Sequence, residues 1–145
     1  MAAVEQPEEE IDVVGVDISP NDCALEDPLT IRLRFTHPFA IPNARWRIRF
    51  SVDTAKKTKI VEFGETEQVA EYPATVSPDS ANEVVWHIEN LEMPEKLAKD
   101  VLKNVGLLVF SLMRDDDSLL DVNFVTQVST DPATGGLIRN ILSPI

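Results

Sequence analysis

Two segments of this chain alternate strictly between apolar and polar side chains, and this alternation restricts the fold more than any other feature. In residues 29–36 (LTIRLRFT), leucine, isoleucine and phenylalanine take every second position, with threonine and arginine between them. Residues 45–52 (RWRIRFSV) repeat the pattern, with Trp46 as the first apolar residue. Because successive side chains of a strand point to opposite faces, a period of two is typical of antiparallel strands with one buried face. The two segments therefore predict a sheet with a hydrophobic inner side.

Further strand-like segments follow along the chain, and Pro, Asn, Asp and Ser cluster between them as turn-forming residues. Strands are predicted at residues 11–18, 59–63, 67–72, 83–88, 105–113 and 119–126. One helix is predicted, beginning at Pro94, which suits a first helical position, and running through Lys103. Seven or eight short strands with one short crossover helix predict an all-β fold, an immunoglobulin-like β-sandwich.

We expect one domain, spanning residues 11–145, because a chain of 145 residues lies within the usual size of a single domain. Residues 1–10 (MAAVEQPEEE) combine glutamates with a proline and small residues, a composition that predicts a disordered acidic tail. This segment has no positive region followed by an apolar run, so we expect no secretory signal. No stretch approaches the ~18 consecutive apolar residues of a membrane helix, so we expect no membrane partner.

The chain is strongly acidic, with 25 Asp and Glu residues against 13 Lys and Arg residues and a formal net charge of -12. This balance repels nucleic acid, so we expect no direct nucleic-acid binding and a basic protein as the partner. The charges are also segregated, because residues 1–27 and 62–95 contain no Lys or Arg, whereas residues 29–61 hold eight of the thirteen bases. Such a stretch is commonly a solvated surface; the alternative is an acidic surface that recruits a basic partner.

No enzyme motif occurs in the sequence, and we expect no catalytic activity, no metal and no cofactor. Nucleophile elbows, phosphate-binding loops and dinucleotide-binding glycine runs are absent from it. His37 and His87 have no nucleophile or orienting acid nearby in sequence, and we interpret them as strand-end or partly buried side chains. The single cysteine, Cys23, excludes an internal disulfide and fits a reducing compartment. The three aspartates at 115–117 could ligate calcium only with further carboxylates, so turn formation is the preferred interpretation.

The predicted strands at 105–113 and 119–126 have two different faces. The inner face would be formed by Leu108, Phe110, Leu112, Leu120, Val122 and Phe124. The opposite face would carry Val105, Leu107 and Val109 beside Asp121, Asn123 and Val125. Either a helix or the C-terminal segment covers these aliphatic residues, or they form a shallow apolar groove for a partner's helix or strand. If residues 45–52 join the same sheet, Arg49 points to this face and can pair with Asp121.

The order and spacing of these segments resemble the anti-silencing-function histone chaperones. The resemblance is carried by DPLTIRLRF, ARWRIRFSV, the strand pair at 105–126 and LIRNIL at 137–142, and it covers residues 11–142. It implies an immunoglobulin-like sandwich that binds the heterodimer of histones three and four without ATP. In that family, one sheet face grips a histone helix through aliphatic residues that are flanked by an arginine and a tyrosine.

Carried over by position, the aliphatic residues of that family fall on Val105 and Leu107, which match in type. The family's arginine falls on Asp121, its tyrosine on Val125 and a neighbouring valine on Ser51, and none of these three matches. Replacing Arg by Asp reverses a charge within a partly desolvated contact. A mismatch of this kind typically costs ~2–5 kcal/mol of binding free energy.

The leading prediction is a nuclear, non-enzymatic module that resembles a histone chaperone and is monomeric on its own. Its predicted partner-binding residues are Val105, Leu107, Val109, Asp121, Asn123, Val125, Arg49 and Ser51. The alternative is a diverged paralogue that acts as a structural subunit of a cytoplasmic or cytoskeletal complex, for example a ciliary one. The acids with which the family binds partner chaperones fall near Asn43 and Arg45, where an acid has become a base. This difference favours the alternative.

Overall fold

The structure, a computed structural model, describes residues 11–54, 56–93 and 104–145. The strands within these residues are β1 (Asp12–Ser19), β2 (Cys23–Ala24), β3 (Leu29–Thr36), β4 (Ile41–Asp53), β5 (Thr58–Glu65), β6 (Val69–Tyr72), β7 (Asn82–Ile88), β8 (Gly106–Arg114), β9 (Asp117–Thr130) and β10 (Leu137–Ile141). A short 3-10 turn at Pro78–Ser80 precedes β7. The predicted helix at 94–103 and the predicted acidic tail at 1–10 lie outside the described residues.

The strands form two antiparallel sheets that pack face to face. The three-stranded sheet has the order β1-β3-β7, and the seven-stranded sheet has the order β2-β10-β9-β8-β4-β5, with β6 also paired to β4. The predicted all-β fold, an immunoglobulin-like β-sandwich, is therefore confirmed. Each predicted strand is present, and β3 has the predicted bounds. The strands β2 and β10 were not predicted, because β2 has two residues and β10 carries polar residues among apolar ones.

The core lies between the sheets and is built from the side chains that the alternation predicts to face inward. Ile31, Leu33 and Phe35 of β3 are fully buried, as are Trp46 and Ile48 of β4. The rings of Phe35 and Trp46 meet edge to face, with their centroids 5.3 Å apart. Because β3 and β4 belong to different sheets, this aromatic contact joins the two layers directly.

A register shift near the β8–β9 turn changes which leucine enters the core. Leu112 pairs with Leu120, but the next pair is Met113 with Ser118, so Leu119 is an extra residue in β9. Leu119 is buried, whereas Leu120, which the alternation predicts to face inward, is half-buried. A bulge inserts one residue into one strand of a pair and reorients the side chains beside it.

Arg139 of β10 is fully buried and holds the segment that crosses between the sheets. Residues 20–28 leave β1 in the small sheet, form β2 in the large sheet and return to β3 in the small sheet. The guanidinium donates hydrogen bonds of 2.5 to 3.2 Å to four main-chain carbonyls of this segment, those of Pro20, Leu25, Asp27 and Pro28. Burial lowers the pKa of Arg139 from its usual value, and the carbonyl dipoles compensate the buried charge.

Asn21, in the same crossing segment, covers the edge of β10. Its side-chain amide donates to the carbonyl of Ile141 at 2.7 Å and accepts from the N–H of Ile141 at 2.8 Å. One side chain thus supplies the two hydrogen bonds that a neighbouring strand would otherwise provide.

Replacing Arg139 with methionine should lower the free energy of unfolding by about 3 kcal/mol, because four buried or partly buried hydrogen bonds from a charged donor are lost. Arg32→Met is the matched control, since Arg32 is half exposed and its contact with Glu83 is 3.7 Å long. The control should change stability by no more than about 0.5 kcal/mol. Urea unfolding measures both effects, and equal losses in the two variants would contradict the anchoring role of Arg139.

Candidate functional site

Most of the predicted site residues meet on the outer face of the seven-stranded sheet, which points away from the three-stranded sheet. Strands β5, β4, β8 and β9 lie side by side there. Arg49 of β4 lies opposite Val109 of β8, which in turn lies opposite Asn123 of β9. Two residues further along β4, Ser51 lies opposite Leu107. Because residues two apart share a face, this register places the group on one surface.

Between these strands the outer face forms a shallow depression of about 210 Å³, here named the β8 depression. Its lining residues are Arg49, Ser51, Ile60, Leu107, Val109, Asp121 and Asn123, and six of these are predicted site residues. Two predicted residues do not line it. Val105 precedes β8 and is 61% exposed, and Val125 is half-buried, with its carbonyl accepting the N–H of Leu142 at 2.8 Å.

The apolar part of the β8 depression differs from the predicted set. Val109, predicted on the solvent-facing side, is only 8% exposed, because it lies between side chains of the two neighbouring strands. Ile60 of β5, rather than the predicted Val105, is the third aliphatic residue that lines the depression, and it is 58% exposed. The sequence pattern contains no sign of Ile60, because its position depends on a β4–β5 pairing that includes a register shift. Leu107, Val109 and Ile60 form the apolar floor of the depression.

A serine hydroxyl bridges the two charged residues of the depression. Arg49 Nη2 donates to Ser111 Oγ at 3.1 Å, and Ser111 Oγ donates to Asp121 Oδ1 at 2.5 Å. The sequence predicts a direct pairing of Arg49 with Asp121, whereas the structure places Ser111 between them. Ser111 is 2% exposed, so the bridge is anchored within the sheet. Its sequence signal is a lone hydroxyl residue inside the apolar stretch VFSLM.

The other two arginines on this side of β4 are bound to carboxylates. Arg45 Nε lies 2.5 Å from Glu65 Oε2. Arg47 makes a two-point contact with Glu62, and this hydrogen bonding raises the pKa of the Arg47 guanidinium above its usual value. Arg49 contacts no carboxylate directly among residues 11–54, 56–93 and 104–145. Its guanidinium instead reaches the carboxylate of Asp121 through the Ser111 hydroxyl.

The acidic stretch at residues 62–95 is partly neutralised within the fold. Its members Glu62, Glu65, Glu83 and Glu89 contact Arg47, Arg45, Arg32 and His87, respectively. Pairing across strands thus brings together charges that are segregated along the chain. The three aspartates at 115–117, in contrast, are exposed at the turn between β8 and β9. Because Ser111 pairs with Asp121 and Arg114 with Asp117, this turn lies at the Asp121 end of the strand pair.

Both histidines are engaged by neighbouring polar groups. His37 is buried, where its Nδ1 donates to the carbonyl of Phe39 and its Nε2 accepts from the amide of Asn82 at 3.0 Å. His87 lies on the outer side of the small sheet, with its Nε2 at 2.9 Å from Glu89 Oε1. His37 thereby connects β3 to the start of β7 and has a structural role.

Cys23 and the acidic side chains were the remaining candidates for chemistry. Burial raises the pKa of the Cys23 thiol, although Arg139, its partner in β10, acts in the opposite direction. The thiol is therefore protonated at neutral pH. In the described part of the chain, no group of three or more His, Cys, Asp or Glu side chains is arranged to hold a metal ion. The same residues contain no helix with the length and apolar character needed to cross a membrane.

The sequence matches no protein-family model and no curated protein at a significant level.

Ser111→Ala removes the hydroxyl between Arg49 and Asp121. It should lower the free energy of unfolding by about 1–2 kcal/mol, since a buried hydrogen bond to a charged group is lost. Ser118→Ala is the control, because the exposed Ser118 hydroxyl lies 3.4 Å from the same carboxylate oxygen. Its effect should stay within about 0.5 kcal/mol in the same thermal or urea unfolding measurement. If Ser118→Ala lowered the free energy of unfolding as much as Ser111→Ala, the Arg49–Ser111–Asp121 bridge would have no stabilising role of its own.

Proposed function

We propose that this protein is a non-enzymatic histone-binding module that resembles the anti-silencing-function chaperones and binds the dimer of histones three and four. The observation that carries the proposal is the β8 depression, which joins an apolar floor to the exposed carboxylate of Asp121 on a regular sheet. Histones are basic proteins. An acidic domain with an apolar contact surface attracts such a partner by charge and retains it by burial.

Binding of this kind would keep the histone dimer from collapsing onto DNA. The net charge of -12 accelerates encounter with a basic partner and disfavours contact with DNA itself. Leu107, Val109 and Ile60 would leave water when a histone segment packs against them, and this burial slows dissociation. The free energy of association drives the process, so no nucleotide is consumed. We accordingly propose a nuclear protein that is monomeric before it binds.

A structural role in a non-histone complex, such as a cytoskeletal or ciliary assembly, is the second candidate, and two residues favour it. Asp121 stands where the resembled family has an arginine, and its carboxylate is held by Ser111. Arg45 stands near the acids with which that family binds partner chaperones, and it is occupied by Glu65. Both differences would weaken contacts typical of the family without disturbing the sandwich.

Titration with the dimer of histones three and four, at about 0.15 M and about 0.5 M salt, separates the two candidates. Binding should persist at the higher salt, because burial of the apolar floor is not screened by ions. Leu107→Arg should weaken binding roughly 100-fold, since it places a charge in a desolvated contact. Val85→Arg makes the same type of change at an exposed residue on the outer side of the small sheet. This control should alter the affinity by less than about threefold.

Binding that disappears at the higher salt, or that both variants weaken equally, would indicate charge attraction alone and contradict the proposal. Failure to bind at either salt concentration would favour the structural role. A partner recovered by affinity capture should then lose binding to Leu107→Arg and keep binding to Val85→Arg.

A further inference from the structure

We infer that the β8 depression receives one arginine or lysine side chain from a protein partner. The aliphatic stem would lie on the apolar floor, and the charged head would reach Asp121. This inference rests on the proposed protein-binding role of the outer face, although it does not require histones as the partner. Long basic side chains combine an apolar stem with a charged end, and the depression offers a surface for each.

The size and floor of the β8 depression suit a single side chain. The depression has a volume of about 210 Å³, many times the space that one water molecule needs. One long side chain can lie in this space while the segment that carries it rests on the surrounding sheet surface. Ile60 is more than half exposed at the β5 side of the floor, so a stem lying there would remove apolar surface from water.

At the head end, Asp121 keeps unused acceptor capacity. Its Oδ1 accepts from Ser111 at 2.5 Å and from Ser118 at 3.4 Å, whereas within the described ranges no donor contacts Oδ2. The amide of Asn123 lines the same end and, among those residues, has no hydrogen-bond partner. A carboxylate with a free oxygen beside an unpaired amide is suited to the N–H donors of a guanidinium or ammonium group.

The surrounding charges favour a cation over an anion, although Arg49 also lines the depression. One Arg49 nitrogen is committed to Ser111. Asp121 and the three exposed aspartates at 115–117 exceed Arg49 and Arg114 by two negative charges. Because the potentials of neighbouring charges add, an incoming carboxylate would be repelled at the end where an incoming guanidinium is attracted.

Small probes test the inference through amide shifts in ¹H–¹⁵N NMR spectra of the full chain. Propylguanidinium reproduces the arginine side chain and should shift the amides of Leu107, Val109 and Asn123 saturably, with a Kd on the order of 10 mM. Guanidinium alone lacks the stem and should bind more weakly. Butyrate, an anion of similar length, should leave these amides unshifted at matched ionic strength.

Two matched variants locate the charge that is recognised. Asp121→Asn should weaken propylguanidinium binding at least about fivefold. Asp117→Asn makes the same change at an exposed turn residue that does not line the depression, and it should weaken binding by less than about twofold. Asp121→Asn weakens the hydrogen bond from Ser111 and should lower the unfolding midpoint, so a single cooperative unfolding transition in each variant is the test that it folds.

Saturable binding of butyrate at the same amides would overturn the inference, because Arg49 would then be the dominant charge. Equal effects of the two variants, equal binding of guanidinium and propylguanidinium, or shifts spread over the acidic surface would also overturn it. The histone titration distinguishes the two proposals. If propylguanidinium binds as expected and histones do not, this inference holds and the proposed function fails. If histones bind through Leu107 and propylguanidinium does not bind, the proposed function holds and this inference fails.

Discussion

The two sheets are held together by burial of the apolar side chains at alternate positions of their strands. This packing also fixes which residues lie on the surface. Ile31, Leu33 and Phe35 meet Trp46 and Ile48 across the sandwich with none of their side-chain surface exposed. A slip of one residue in either strand would turn these side chains outward and the arginines between them inward. The cost of burying those charges keeps the register fixed. The arginines and other polar residues of these strands therefore lie on the outer faces, because the core excludes them.

On this rigid support, a few polar contacts decide which charges a partner can reach. Cross-strand pairing occupies Arg45 and Arg47, so most of the positive charge on β4 is neutralised by its neighbours on β5. Arg49 and Asp121 form no direct ion pair with each other, because the Ser111 hydroxyl lies between them and hydrogen-bonds to both. Each charged group retains hydrogen-bonding capacity toward solvent. The β8 depression thus places an arginine and an aspartate, connected by a serine hydroxyl, on the surface of an acidic protein.

Features that depend on local alternation could be predicted from the sequence, and features that depend on pairing could not. The faces of β3, β4 and β8 follow from the period of two, so most of the site residues on those strands were placed on the correct surface. Ile60 and Ser111 were missed, because their roles arise from neighbours on other strands. Arg139 was missed as a buried residue because a charged side chain breaks the apolar pattern. Its burial depends on carbonyls such as that of Leu25, which lies 114 positions earlier in the chain.

The anchoring of the crossing segment has a consequence for how chains with this fold can diverge. The four groups that bind Arg139 belong to the main chain, so they are present whatever side chains occupy residues 20–28. Substitutions in that segment leave the hydrogen bonds intact as long as its path is kept. The side chains of residues 20–28 can therefore change during evolution without loss of these hydrogen bonds, whereas a change of Arg139 removes them. Aligned relatives would show a retained arginine in β10 with no residue that changes in step with it.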